Sequence, residues 1–378
     1  MILTVNKGHT LLVDGPARVR VLSGRVSVLG ALSKIGDSTV VRKGKRLPFE
    51  ALRNCKVELA LGDSAAYSEV EGSSIPPSWG EAVEDVLSLG KRRIILVLGG
   101  VDCGKTSFCT YLANSALNSK LEVALIDGDL GQSDVGPPGT LSLSLIGETL
   151  VDPFRLSPES LVFIGVTSPS GKVGAVLDAL ETLRTRALES GADLVIVNTD
   201  GWVEGDGAVS YKARLAEAIA PDAVVAIQGD SELVPMLDVL ADAKVIVADL
   251  PADVKTRDRE TRKLLRESAY RKHLGEAKVR SFPSSWVQIE GNLQLDSERE
   301  TGNAEEGPGE GAIDLSRQDV EGMLVALEDA NGEVLGIGTI CNVDSWKGFI
   351  RMRTPVEGTI SKIRLGTIRL DDEGKEIL

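Results

Sequence analysis

Four residues near the end of the chain's first quarter have the types and spacing to hold a phosphate. Gly99 and Gly104 are separated by four residues, and Lys105 and Thr106 follow directly. Glycines let a loop turn so that its amides converge on a bound phosphate, and a helix opening at Lys105 would aim its positive end at the same point. Gly99, Gly100, Val101, Asp102, Cys103, Gly104, Lys105, Thr106 and Ser107 are therefore the expected nucleotide cradle. Lys105 is expected to reach the β- and γ-phosphates of ATP or another NTP, and Thr106 to place its hydroxyl on Mg²⁺. The bland alternative is an ordinary glycine-rich turn between strand and helix.

A second group of chemically capable residues lies in ALIDGDLGQSDVGPPGT at 124–140. Asp127 stands at the carboxyl end of a strand and Asp129 two residues beyond it, where a phosphate-loop enzyme keeps the carboxylates that handle Mg²⁺ and the attacking group. If a hydroxyl attacks the γ-phosphate, a carboxylate must take its proton, and Asp129, with Gln132 three residues later, is placed for that work. Read alone, each aspartate could equally be a turn or cap residue.

These residues need a scaffold, and the pattern around them supplies one. RIILVLGG runs apolar into the loop, SFCTYLANSALNS reads as the helix after it, and LEVALIDGD is the next strand. LVFIG, a helix over 173–190, DLVIVNTDGW, DAVVAIQ and AKVIVAD continue the alternation. Buried apolar strands separated by helices predict an α/β P-loop NTPase core, a mostly parallel sheet with helices on both faces. Before it, residues 1–75 alternate apolar and polar residues in short strands and predict an N-terminal β domain. SSIPPSW at 73–79 reads as a break, followed by a helix in GEAVEDVLSLG. After the core, VQIEGNLQL, MLVALEDANGEVLGIGTI with an Asn331–Gly332 turn, and FIRMRTPVEG predict a C-terminal β domain. The expected boundaries are 1–75, 76–279 with a basic lid at 254–274, and 280–378.

Bulk properties narrow the class. A chain of 378 residues exceeds one core, and 42% hydrophobic with 26% charged residues is ordinary for a globular protein. No stretch approaches the roughly 20 apolar residues of a membrane span, and the N-terminus lacks a signal-peptide pattern, so no membrane association is expected and the cytoplasm is the expected compartment. Four cysteines without CxxC spacing and two histidines argue against structural zinc. A net charge of −14 excludes nucleic-acid binding over the whole surface but not in a local basic channel. Residues 254–274 hold eight Lys or Arg against three acids, whereas 296–310 hold six acids against Arg299 alone.

DGDLGQ followed by PPGT, NTDGW at 198–202, the arginine-rich segment after 254, the early DGPARVRVLSG and the IPPSW linker together resemble the Clp1, Grc3 and Nol9 family of polynucleotide 5′-hydroxyl kinases, most of all its stand-alone archaeal members. The resemblance implies roles residue by residue. Asp129 and Gln132 fall on the family's DxxQ motif, with the aspartate as base for the 5′-hydroxyl. Thr199, Gly201 and Trp202 fall on the TxGW clasp that holds the end nucleotide, and an indole is a sequence-tolerant stacking platform. Arg257 and Arg262 fall on lid arginines that close over the transferring phosphate, with Arg266 a further match. Core packing for Trp202 and a solvated helix face for the arginines are the plainer alternatives. The lid's AYRKHLG ending and the acidic loop 296–310 depart from the family pattern as known in eukaryotic members.

The resemblance thus implies transfer of the γ-phosphate of ATP, with Mg²⁺, to 5′-hydroxyl ends of RNA or DNA, with RNA-processing partners and an organisation compatible with a monomer. A nucleotide-bound, catalytically silent scaffold of an RNA-processing complex is the alternative. The presence of Lys105, Asp129, Gln132 and the lid arginines favours activity. An ordinary GTPase is disfavoured, because NTDG lacks a lysine two positions before its aspartate.

Overall fold

The computed structural model describes residues 1–240, 243–291, 320–344 and 346–377. The acidic loop 296–310 lies outside the described residues.

Alternating polarity at the start of the chain folds into seven antiparallel strands: β1 (Ile2–Val5), β2 (His9–Asp14), β3 (Ala17–Val28), β4 (Ala31–Ser33), β5 (Ser38–Val41), β6 (Arg46–Leu61) and β7 (Ala66–Glu71). Ala17, Val19 and Val21 point inward on β3 while Arg18 and Arg20 point out, the period of a half-buried strand. The sheet order is β4-β3-β6-β2-β7, with β1 added to β6 and β5 to β3.

The two prolines expected to break the chain instead begin a helix, α1 (Pro77–Ser88). Proline is tolerated at the first helical position because its missing N–H would have no partner there. Trp79 then anchors the helix, fully buried with its indole N–H on the Asp249 carbonyl at 2.9 Å.

The middle sheet comprises β8 (Arg93–Gly99), β9 (Val123–Gly128), β10 (Thr140–Ile146), β11 (Ser160–Phe163), β12 (Leu194–Thr199), β13 (Ala223–Gln228) and β14 (Lys244–Asp249), in the order β11-β10-β9-β12-β8-β13-β14. β9, β12, β8, β13 and β14 run parallel, and β10 and β11 are antiparallel additions at one edge. α1 and α2 (Lys105–Asn118) pack on one face, around Trp79, Phe108 and Leu112. α3 (Val173–Glu189), α4 (Asp206–Ile219) and α5 (Val234–Val239) pack on the other, around Leu180, Tyr211 and Met236. Among the described residues, no helix is long and apolar enough to cross a membrane.

α6 (Arg259–Leu274) carries the basic segment from the core to a third sheet. That sheet holds β15 (Lys278–Pro283), β16 (Gln288–Glu290), β17 (Met323–Glu328), β18 (Val334–Asp344), β19 (Phe349–Thr354), β20 (Lys362–Leu370) and β21 (Glu376–Ile377). Its order is β15-β19-β18-β17-β20-β16, with β21 on β20. The Asn331–Gly332 turn joins β17 to β18, where Gly332 takes φ +80° and Asp329 Oδ1 accepts the Asn331 and Glu333 amides at 2.8 and 2.9 Å.

Both outer sheets are tied to the core. Arg42 bridges Asp134 and Asp152, and Lys45 Nζ meets Asp134 at 2.7 Å. On the other side Arg266 forks onto Glu376 of β21 at 2.5 and 2.7 Å, and Phe163, Tyr270, Leu324 and Ile337 share a small apolar core.

Candidate active site

In a parallel sheet the strand ends at one edge open into a crevice where ligands bind. Here the loops after β8, β9 and β12 converge there with the segment before α6 and a wall from the N-terminal sheet. Together they line a cavity of about 860 Å³.

The loop after β8 is shaped for close approach. Gly104 takes φ +99°, open to glycine at little cost, and Asp102 is held at φ +59°. A Cβ on Gly99 would stand 2.4 Å from Cys103 Sγ and 2.8 Å from the Ile227 carbonyl, so the bend admits only glycine. Gly100, Val101, Asp102, Cys103, Gly104, Lys105, Thr106 and Ser107 all line the cavity. Gly99 does not line it and serves the turn instead. The Lys105 ammonium donates to the Gly99 and Gly100 carbonyls at 2.9 and 2.6 Å. Cys103 is buried, which pushes its thiol up and leaves it a packing residue.

The loop after β9 separates the two aspartates. Asp127 Oδ2 accepts Ser133 Oγ and the Asp134 and Val135 amides at 2.8–3.2 Å, and Oδ1 accepts Asn198 Nδ2 at 3.2 Å. The residue is 2% exposed and does not line the cavity. The expectation of Asp127 as a Mg²⁺ ligand is therefore corrected: its oxygens are committed to folding the loop. Asp129 does face the cavity. Its Oδ1 accepts the Gly131 and Gln132 amides at 3.0 and 2.9 Å, which fixes the side chain with Oδ2 uncommitted. Burial, then the Asp200 carboxylate, push the Asp129 carboxyl up to about 6, against the pull of Lys105. Gln132 donates to the Gly131 and Arg262 carbonyls at 2.8 and 3.3 Å, while its buried Oε1 has no partner among the described residues. A buried acceptor left open on a cavity wall is a place for a ligand donor.

The loop after β12 corrects a second expectation. Thr199 is 1% exposed, and its hydroxyl donates to the Val97 carbonyl at 2.8 Å, so it pins β12 to β8 rather than meeting a ligand. Gly201 and Trp202 do line the cavity. A Cβ on Gly201 would fall 2.7–2.9 Å from Val101, so glycine lets this loop lie against the phosphate loop. Trp202 is half-buried, with one ring face stacked on Tyr211 at a centroid distance of 5.6 Å and 23° between planes.

The lid meets the phosphate loop through one carboxylate. Asp102 accepts the Arg257 amide at 2.9 Å, Arg257 Nη1 at 3.1 Å and Arg262 Nη2 at 2.9 Å. Arg257 also donates to the Gly44 carbonyl at 3.2 Å, which brings the N-terminal sheet into the same contact. Arg262 Nε has no partner among the described residues. α6 starts cleanly because the Asp258 side chain caps the Thr261 amide at 2.7 Å. Arg266 lines the cavity, as expected of a ligand contact, and its guanidinium forks onto Glu376.

Sequence reasoning missed four contributors. Asp102 was expected only as a backbone member of the cradle, yet its side chain holds both lid arginines. Arg42 and Lys45 bring positive charge from the N-terminal sheet to the cavity wall, where with Asp134 they form a buried network. Asp200 is the variable position of the TxGW pattern, and its carboxylate holds the Trp202 amide at 2.9 Å.

The loop fits a nucleotide on its own geometry: a turn that a Cβ would fill, a helix N-terminus beneath it and a cavity of nucleotide size. The Thr106 hydroxyl is the hard oxygen that would share a Mg²⁺ with phosphate oxygens.

Comparison with known proteins gives a consistent answer. Residues 99–275 match the model of the mRNA cleavage and polyadenylation factor CLP1 P-loop domain. The polyribonucleotide 5′-hydroxyl-kinase of Pyrococcus abyssi is 29% identical over 335 residues, covering 78% of this chain and 93% of its own. That of Methanocaldococcus jannaschii is 27% identical over 352 residues, covering 83% and 96%. The solved Clp1p of the Clp1p–Pcf11p complex superposes with a TM-score of 0.76 at 15% identity over 98% of this chain and 97% of that one, which shows a shared fold. Residues 99–275 thus match the CLP1 P-loop domain, and the chain is similar to archaeal polyribonucleotide 5′-hydroxyl-kinases over nearly their full length.

Proposed function

We propose that this protein is a polynucleotide 5′-hydroxyl kinase that moves the γ-phosphate of ATP to the 5′-hydroxyl of RNA. The observation that carries the reading is Asp129. A carboxylate with one oxygen uncommitted shares a single cavity with the phosphate loop, both lid arginines and Trp202. Hydrolysis would need only a water; an aromatic wall beside the base calls for an acceptor with a ring to stack. The names of the archaeal relatives support RNA as that acceptor.

The loop amides and Lys105 bind and orient the triphosphate, and Thr106 supplies the protein oxygen to Mg²⁺, which when bound neutralises charge on the phosphates. Trp202 holds the end nucleotide so that its 5′-oxygen faces the γ-phosphorus. As that oxygen bonds to phosphorus, the bond to the β–γ bridging oxygen breaks, ADP leaves, and the hydroxyl proton passes to Asp129. Arg257 and Arg262 meet the charge on the moving phosphoryl oxygens. The four free thiols suit a reducing cytoplasm as the compartment.

The test is transfer of label from γ-³²P-ATP, with Mg²⁺, to matched 5′-hydroxyl RNA and DNA oligonucleotides, with 5′-phosphorylated strands as blocked controls. Label on 5′-hydroxyl RNA alone, or on RNA above DNA, supports the reading. ATP binding without label on either strand would overturn it and return the silent scaffold.

A further inference from the structure

Behind the Trp202 wall lies a charged group that neither phosphate binding nor lid contact uses. Lys212, on α4, is 0% exposed. Its ammonium stands 2.9 Å from Asp200 Oδ2, donates to the Asp200 carbonyl at 3.2 Å, and lies 4.8 Å from the centroid of the Tyr211 ring. Asp200 is fully engaged in turn: Oδ1 accepts the Trp202 amide and Oδ2 the Tyr211 hydroxyl, each at 2.9 Å. The Tyr211 ring is also the surface on which Trp202 stacks. Three consecutive contacts, Lys212 to Asp200, Asp200 to Tyr211 and Tyr211 to Trp202, thus run from one buried ammonium to the indole.

The fold does not call for such a pair. Taking a lysine and an aspartate out of water costs more than their attraction commonly returns, and well-packed apolar residues of the same size serve stability as well or better. What the pair does provide is a fixed loop and a balanced charge at one place on the cavity wall, because Asp200 lines the cavity together with Asp129 and Trp202.

Resting on the kinase reading above, we infer that Lys212 is a positioning residue for the acceptor half of the reaction: through Asp200 it fixes the Trp202 platform and offsets the negative charge that Asp200 places beside the Asp129 base. The charged groups facing this centre are Asp127 and Asp129 from the end of β9, Asp200 from the end of β12, Lys105 from α2 and Lys212 from α4. Lys105 is committed to the phosphate loop, which leaves Lys212 to pair with Asp200. Burial pulls the Lys212 ammonium down and Asp200 holds it up, so the two charges depend on each other. Loss of the ammonium would leave Asp200 uncompensated next to Asp129 and harder for the base to ionise against. Loss of the Asp200 charge would do the reverse.

That opposition of sign is the test. Lys212→Met, Asp200→Asn and the double variant are assayed with ATP, Mg²⁺ and a 5′-hydroxyl RNA oligonucleotide between pH 5 and 9. Lys212→Met should raise the acceptor KM about tenfold or more while changing the ATP KM less than about threefold. It should also move the acid limb of kcat/KM upward by roughly half a pH unit or more, and Asp200→Asn should move that limb downward. A merely structural pair would shift both single variants in one direction or neither. Folded Lys212→Met with the wild-type acceptor KM and acid limb would overturn the inference. Should Lys212→Met not fold, the decision passes to Asp200→Asn and the double variant: an Asp200→Asn acid limb at or above that of the wild type overturns the inference, as does a double variant whose limb stays with Asp200→Asn instead of returning towards the wild type. If the wild type itself labels no oligonucleotide, the kinase reading falls and takes this inference with it; if the wild type labels RNA and the variants behave alike, only the inference falls.

Discussion

On the kinase reading Asp129 is the base, and its surroundings fix how it should behave. Asparagine keeps an acceptor for the Gly131 and Gln132 amides but cannot take a proton. Asp129→Asn should lower kcat by about 10²- to 10⁴-fold with the ATP KM nearly unchanged, measured in the same label-transfer assay. Because the base must be ionised, kcat/KM should climb about tenfold per pH unit below about 6 and level above it. The same group bears on stability with a definite sign. Its folded value, about 6, lies above the ordinary 3.8, so its stabilising contribution is full below 3.8 and is lost as pH rises through 6. At pH 7.5 the buried carboxylate is a cost, and Asp129→Asn should be more stable by about 1–2 kcal/mol and unfold at a higher temperature, with the gap closing towards pH 4 in thermal melts. The two aspartates of DGD look alike in sequence. What separates them is the turn at 131–135: the Asp134 and Val135 amides fold back onto Asp127, whereas the Gly131 and Gln132 amides take only one oxygen of Asp129, and no spacing rule encodes that direction. Thr199 misled for the same reason: its hydroxyl at a strand end turned to the neighbouring strand's carbonyl instead of the cavity.

Among elements, the lid depends on a single side chain of the phosphate loop, because three hydrogen bonds from it end on the Asp102 carboxylate. Asp102→Asn keeps the side chain's size and removes the charge. It should expose the segment at 250–258 to limited proteolysis several times faster in the absence of nucleotide, with protection restored by ATP and Mg²⁺. Equal cleavage of the two proteins would show that the carboxylate does not hold the lid. Elements with strong periodicity were readable in advance, the parallel core above all, because five apolar strands with intervening helices leave few other packings. α1 was shortened in the sequence reading, since two prolines look like a break unless one occupies the first helical turn. Lys212 was not legible at all. In DGAVSYKARLAEAI a lysine reads as a solvent-facing position, and only the arrival of Asp200 from another strand gives it a buried partner.

At the scale of the molecule, the N-terminal sheet is a working wall of the site and is held by buried charge. Arg42 spans Asp134 and Asp152, whose side chains are 7% and 9% exposed, and lies 3.8 Å over the Phe154 ring. Arg42→Ala would leave the buried Asp152 without a charge partner and Asp134 with Lys45 alone, with an expected loss of about 3 kcal/mol in chemical denaturation and a rise in the ATP KM as the wall shifts. Loss of stability with the ATP KM unmoved would place this wall outside the nucleotide's reach. The three-sheet plan was visible from the alternation of residue types, but the clamps between sheets were not, since Arg42, Lys45, Arg266 and Glu376 read as ordinary surface charges until the sheets are brought together.

The attachment of α6 at both ends has a mechanical consequence. At its start the helix is held by Asp102, on the very loop that receives the nucleotide; farther along, Arg266 is forked onto Glu376 and Lys272 donates to the Val135 and Leu156 carbonyls. One fastening competes with the incoming phosphates and the other does not. The helix should therefore behave as a drawbridge, lifting at residues 254–262 and pivoting on its second half. Hydrogen exchange without nucleotide should be fast at 254–262 and slow at 266–274, and ATP should slow only the first.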